Sequence, residues 1–167
     1  ALAPPGNGID VAPDGSVCFT DIARRTIWTV EPGGEPAPLV RGTWTHALTI
    51  ADDGTLFYER EEDAPGAAPC SFWRLRPGGE PDRLIPPQHD RRQFGGAAFA
   101  IDDAGNVYYP HAERNADNEW RVCLMRRTPE GDVGPFTGMG DGPLFTDGPP
   151  AEATIRIVTA MAAGPDG

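Results

Sequence analysis

Four positions in this sequence stand at one fixed distance from a recurring turn. Asn7, His46, Ala97 and Thr159 each lie eight residues before a turn glycine, namely Gly15, Gly54, Gly105 and Gly167. Three of the four are polar. Asn7 and His46 can both donate an oxygen or a nitrogen to a cation, so a divalent metal (Ca, Mg or Zn) is the chemistry they would serve if further ligands joined them. A second group of polar residues comprises Asp21, Glu59, Glu61, Glu62, Asp63, His111 and Glu113. A carboxylate or an imidazole can act as a general base, and Asp21 and His111 are the candidate catalytic residues. Trp44, Trp120, His46 and Glu59 are the candidate ligand contacts. Each has a plainer reading: Asn7 as a turn residue before a strand, His46 as a hydrogen-bonded rim imidazole, Thr159 as a strand residue, and the carboxylates as a solvated surface.

Other chemistries find no footing. Gly138-Met139-Gly140-Asp141-Gly142 is followed by Pro143 rather than by a helix, so it is no phosphate loop. There is no Gly-x-Ser-x-Gly nucleophile motif. All fourteen basic residues are Arg, which removes any lysine Schiff base within this sequence. The net charge of −11 argues against nucleic acid, whose phosphates need a basic surface. No window approaches the ~20 apolar residues of a membrane span. The three cysteines, Cys18, Cys70 and Cys123, lack the paired spacing of a zinc site, and Cys18 and Cys123 fall where buried thiols act as small hydrophobes. Compartment stays open between cytoplasmic and extracytoplasmic.

The elements that must position these residues are read from an internal repeat. The first unit runs Gly8-Ile9-Asp10-Val11-Ala12-Pro13-Asp14-Gly15, then Ser16-Val17-Cys18-Phe19-Thr20-Asp21, then Thr26-Ile27-Trp28-Thr29-Val30 and Pro32-Gly33-Gly34-Glu35-Pro36. The second repeats it around Ala51-Asp52-Asp53-Gly54, Phe72-Trp73-Arg74-Leu75 and Pro77-Gly78-Gly79-Glu80-Pro81. The third is looser, with Asp102-Asp103-Ala104-Gly105 and Pro129-Glu130-Gly131, and a fourth opens near the end. Ile9 and Val11, Leu48 and Ile50, Phe99 and Ile101 alternate with period two, the signature of strands. Asp-Gly between such runs signals a hairpin, because the turn needs the positive φ that glycine supplies without strain. Proline is too frequent for long helices.

The expected fold is therefore all-β: a β-propeller with about three four-stranded antiparallel blades, near 8–40, 47–85 and 97–137, plus an incomplete fourth over 155–167. The turn glycines are 39, 51 and 62 residues apart, against ~40–45 for a minimal blade. The excess falls in four stretches, 59–70, 86–96, 110–120 and 138–150, expected as loops on the face opposite the tight turns. Loops grown on one face of a rigid scaffold mark the expected binding face.

The string from Gly8 to Asp21 resembles an NHL repeat and also a blade of the gluconolactonase and regucalcin family. The resemblance runs over nearly the whole chain and implies a propeller, commonly of six blades. On that reading the chain is a fragment, and the remaining blades of the same polypeptide are its first partner. The NHL likeness implies a binding scaffold whose loop-rich face takes a protein, a glycan or a small ligand. The gluconolactonase likeness implies a divalent-metal-dependent hydrolase acting on a lactone or ester, or a related lyase, at the mouth of the central channel. It matches Asn7-Gly8-Ile9 to one metal ligand of that family, while the family's Glu-Gly-Pro opening is absent.

Overall fold

The structure is a computed structural model, and it describes residues 8–62, 69–90, 99–114, 118, 120–137, 146–150, 152–155, 158 and 161–164. It is all-β among these residues. The strands are β1 (Ile9–Val11), β2 (Val17–Asp21), β3 (Thr26–Val30), β4 (Ala37–Arg41), β5 (Leu48–Ile50), β6 (Leu56–Glu61), β7 (Pro69–Leu75), β8 (Asp82–Asp90), β9 (Ala100–Ile101), β10 (Val107–Arg114), β11 (Trp120–Arg127) and β12 (Val133–Thr137). They form three four-stranded sheets in which every strand pairs with its chain neighbour, as β1 to β4, β5 to β8 and β9 to β12. The chain divides into two compact units, Ala1–Asp90 with the first two sheets and Arg91–Gly167 with the third. No helix among the described residues is long and apolar enough to cross a membrane.

The repeat folds as one turn geometry used three times. Gly15, Gly54 and Gly105 have φ of 85°, 80° and 81°. Each donates its N–H to the carbonyl three residues back, Ala12, Ala51 and Asp102, at 2.8–2.9 Å. Asp14 and Asp53 close the turn by accepting from the N–H of Ser16 and Thr55, each at 2.8 Å. The third unit has Ala104 in that place. Asp102, two residues earlier and 8% exposed, takes over by accepting from the Asn106 N–H and Nδ2 at 2.8 Å and the Tyr108 hydroxyl at 3.0 Å.

The same glycines explain why Asp-Gly and Pro-Gly recur together. A Cβ built on Gly15, Gly54 or Gly105 would stand 3.2, 3.3 or 3.4 Å from the ring of Pro32, Pro77 or Pro129. The two hairpin turns of each sheet therefore stack, and a bare glycine lets the proline ring close over the first turn. In the first two sheets that outer turn has Pro at its second position and a left-handed glycine at its third (Gly33, φ 74°; Gly78, φ 69°), the type II pattern. In the third the glycine comes one place later, as Gly131, and the turn adopts the geometry of the Asp-Gly turns.

Within the first unit the two sheets pack face to face. Cys18, Ile27 and Val40 of the first sheet meet Leu48, Leu56, Tyr58 and Leu75 of the second, with Ile50 and Trp73 at the margin. Fully burying a side chain such as Ile27 contributes about 1.5–3 kcal/mol. Burial also pushes the Tyr58 phenol up to about 12. A polar clasp accompanies this core: Asp10 on β1 accepts from Thr49 Oγ1 at 3.0 Å and from the Ile50 N–H at 2.8 Å. Gly8 makes the approach close, since a Cβ there would lie 3.1 Å from Leu48 N and 3.2 Å from the His46 carbonyl oxygen.

Three expected loops are partly strand. β6 runs on to Glu61 and β7 begins at Pro69, β10 continues through His111 to Arg114, and β8 carries Pro86 and Pro87 on to Asp90. The prolines are tolerated because β8 lies at the edge of its sheet and its pairing with β7 shifts register between Phe72↔Ile85 and Cys70↔His89, so neither ring displaces a ladder bond. All three cysteines are free thiols. Most of 155–167 lies outside the described residues; Ile155 forms an isolated bridge to Val122 of β11.

Candidate functional site

The strand register sets Asp21, Arg60 and His111 at equivalent places in the three sheets; of the eight-residue spacing group only His46 is among the described residues. Thr20 donates its N–H to the Gly8 carbonyl and Glu59 its N–H to the equivalent Ala47 carbonyl. The residues that follow on β2 and β6, Asp21 and Arg60, therefore sit at the end of the sheet where the first strands begin. His111 holds that place on β10 in the other unit.

At this end of the first unit, residues 42–47 link the two sheets and bring a compact set of side chains together. The Glu61 N–H donates to the Trp44 carbonyl at 2.8 Å, and the two residues form an isolated bridge. That contact sets the Glu61 carboxylate beside His46, with Oε2 and Nε2 4.0 Å apart and the side chains only 13% and 18% exposed. The Thr43 and Thr45 hydroxyls, both buried, lie 3.0 Å apart and hold the linker's shape.

The β2–β3 turn supplies the fourth member. Arg25 N–H donates to the Ile22 carbonyl, and Arg25 has φ 51°. Left-handed backbone costs a non-glycine residue about 1–2 kcal/mol. Here it aims the Arg25 carbonyl at the Thr43 N–H, at 2.9 Å, and sets the guanidinium 4.5 Å from the centre of the Trp44 ring. Cation–π contacts of this kind are worth ~0.5–2 kcal/mol.

The other candidates fall as follows. Asp21 is buried and occupied: it accepts from the Arg24 N–H at 2.9 Å and from Arg24 Nη1 at 2.6 Å. The Arg24 guanidinium holds its carboxyl below the usual range. Glu59, expected in a solvated loop, lies inside β6 and is 1% exposed, because it shares the sheet face of Phe57, which is also buried. His111 lies in β10, half-buried, opposite Cys123. Trp120 opens β11, and its side chain lies outside the described residues, as does Asn7. Arg60 and Glu62 form a separate network on the flank: Ser71 Oγ donates to Glu62 Oε1 at 2.6 Å, and Trp73 Nε1 donates to Ser71 Oγ at 2.8 Å.

Arg25 and Glu61 are the members that sequence reasoning did not single out. Glu61 stood in the acidic run, but its meeting with His46 depends on the linker register. Arg25 had one readable signal, a non-glycine residue at the close of a tight turn.

The His46–Glu61 pair is too wide for a direct hydrogen bond. It is narrow enough for one oxygen to stand about 2.8 Å from both, accepting from the imidazole or donating to the carboxylate. It does not fit a tetrahedral zinc ion as it stands, since ligand bonds of about 2.1 Å would bring the two atoms to about 3.4 Å. Among the described residues no three His, Cys, Asp or Glu side chains gather as metal ligands would.

No family model matches the sequence, and no curated protein matches it. Solved structures do. A gluconolactonase from Xanthomonas campestris is similar at a TM-score of 0.62 and 17% identity, covering 96% of this chain and 53% of that one. A virginiamycin B lyase from Staphylococcus aureus follows at 0.52 and 16%, covering 81% and 56%. The PQQ-bound aldose sugar dehydrogenase from Streptomyces coelicolor matches at 0.55 and 14%, covering 86% and 49%. The chain thus spans about half the length of the structures it matches. Its three four-stranded antiparallel meanders, each opened by the same stacked pair of turns, and its likeness to these proteins make the chain a β-propeller.

Proposed function

We propose that this propeller is a binding scaffold for a small polyhydroxylated ligand, a sugar derivative or the end of a glycan, held where Trp44, His46, Glu61 and Arg25 meet. The observation that carries the reading is the 4.0 Å separation of His46 Nε2 and Glu61 Oε2 beside a half-buried indole. A shared hydroxyl fits between an imidazole and a carboxylate at that distance, and an indole with a guanidinium over its ring sets apolar surface beside a hydrogen-bond donor, as the C–H face and the hydroxyls of a sugar ring require. Two of the similar propellers are named for sugar chemistry, a gluconolactonase and an aldose sugar dehydrogenase, which agrees with the ligand class. A second reading, a divalent-metal-dependent lactone hydrolase, takes His46 as a ligand together with Asn7. Its support is that His46 and a carboxylate converge at the equivalent end of the sheets.

Calorimetric titration separates the two. D-gluconate, D-glucono-1,5-lactone and short glucans are titrated into the chain after chelation, then again with Ca²⁺, Mg²⁺ or Zn²⁺ present. The scaffold reading expects metal-independent binding that His46→Ala and Glu61→Gln each weaken at least about tenfold, the loss of one hydrogen bond to a charged group. Binding that requires the metal, together with lactone turnover, favours the hydrolase. Binding of none of these compounds by the wild-type chain, with or without metal, rejects the proposed ligand class.

A further inference from the structure

A cleft of about 670 Å³ opens between the first two sheets, at the end opposite His46 and Glu61, where the Asp-Gly turns lie. Every residue that lines it is among those described. Its floor is apolar, with Cys18 on one wall and Ile50, Leu56 and Leu75 on the other. Leu39, 39% exposed, adds to that surface. Burial pushes the Cys18 thiol up, so it stays neutral and acts as one more small hydrophobe. The volume lies within the ~300–1,000 Å³ of small-molecule sites.

Two small side chains leave this space. Cys18 on β2 pairs with Thr29 on β3, and both line the cleft. The same repeat positions hold Phe57 paired with Arg74 in the second sheet and Tyr108 paired with Arg126 in the third. Each of those sheets sets an aromatic ring beside a guanidinium where the first sheet leaves room. The charge around the cleft calls for the same chemistry. Asp14, Glu31, Asp52, Asp53 and Glu80 line it against one guanidinium, that of Arg76. The N–H groups of Ser16 and Thr55 hold the Asp14 and Asp53 carboxyls below the usual range, so both are ionised at neutral pH.

We infer that this cleft is a second binding site, and that it takes a small aromatic cation: a ring carrying an amidinium or guanidinium head. Such a ligand supplies the two groups that the Cys18–Thr29 pair lacks and its counterparts possess. The ring covers the floor of Cys18, Ile50, Leu56 and Leu75, and the head meets Glu31, Asp52 and Glu80. Asp14 and Asp53 are engaged by their own turns and add attraction at longer range. Both parts of the ligand are required. A neutral ring gains only the apolar floor, and an anion is repelled by the carboxylates. The site stands apart from the His46–Glu61 pair and does not depend on what binds there.

Benzamidine is the probe, with benzamide and benzoate as its neutral and anionic counterparts, and amide chemical-shift mapping of the wild-type chain is the readout. Benzamidine is expected to bind saturably with a Kd of about 1 mM or tighter. Its shifts should concentrate in residues 12–16, 50–56 and 75–81. Benzamide should bind at least about tenfold more weakly, through the loss of its ion pairs, and benzoate should leave the spectrum unchanged. Thr29→Arg, which restores the cation of the other two sheets, should weaken benzamidine at least about tenfold by filling the cleft and repelling the head. If that variant fails to fold, Glu31→Gln, Asp52→Asn and Glu80→Gln are combined. These side chains are exposed, and losing three exposed ion pairs should also weaken binding about tenfold. No benzamidine shifts at millimolar concentration overturn the inference. So do equal affinities for benzamidine and benzamide, shifts centred on residues 43–46, or undiminished binding by a folded Thr29→Arg or by the triple variant.

Discussion

Gly54→Ala probes the stacked turns on which each sheet is built. Gly54 has φ 80°, and an added Cβ would stand 3.3 Å from Pro77 Cγ. Left-handed backbone alone costs alanine about 1–2 kcal/mol. Forcing the proline ring to give way adds about 1 kcal/mol, the low end for overpacking, for a total of about 2–3 kcal/mol. Gly33 is the internal control: its φ is 74° and an added Cβ meets nothing within 4 Å, so Gly33→Ala carries the backbone cost alone. Urea unfolding by linear extrapolation reads both, and the entropy alanine removes from the unfolded chain is the same in each. Adding Pro77→Ala to Gly54→Ala then isolates the contact, with a coupling of about 1 kcal/mol expected from the double-mutant cycle. Equal costs for Gly54→Ala and Gly33→Ala, with no coupling to Pro77, would refute the stacking argument and leave the joint recurrence of the two motifs unexplained.

Three further outcomes follow from named contacts. Arg25→Gly removes left-handed strain and also a cation–π contact, so stability should stay within about 1 kcal/mol of wild type while gluconate affinity falls; urea unfolding and calorimetry read the two separately. The buried Tyr58 phenol is raised to about 12, so its contribution is full below the unfolded value near 10 and is lost as pH rises through the folded one. Stability should fall by about 2–3 kcal/mol across that window, and Tyr58→Phe should flatten the fall. Asp102 is pushed up by burial, but the hydrogen bonds from Asn106 and Tyr108 outweigh this and hold its carboxyl below the usual range. Its contribution is present above the unfolded value near 3.9 and is lost as pH falls through the folded one, so Asp102→Asn should reduce the acid sensitivity of unfolding.

The parts legible in the sequence were those fixed by local chemistry. Asp-Gly and Pro-Gly-Gly each demand a particular φ, and their order along the chain sets four strands per sheet before any packing is considered. The lengths of the strands were not legible in the same way. Glu59 to Glu61 and Pro86 to Asp90 read as loop because charge and proline argue against strand locally. Pairing with β7 overrides this, through a buried face at Glu59 and an edge with shifted register at Pro86 and Pro87. The candidate site shows the same division. His46 emerged from its spacing to Gly54, whereas its partner Glu61 and the stacked Arg25 depend on how the linker 42–47 crosses the end of β6. Such a crossing is a tertiary contact, and no local pattern encodes it.

The most direct test of the account is amide chemical-shift mapping of the wild-type chain during titration with D-gluconate. The account predicts saturable shifts concentrated in residues 43–46, in Arg25 and in Glu59 to Glu62, accompanied by the Trp44 indole N–H, and abolished by His46→Ala. Shifts centred elsewhere, or a spectrum unchanged at millimolar gluconate, would contradict it.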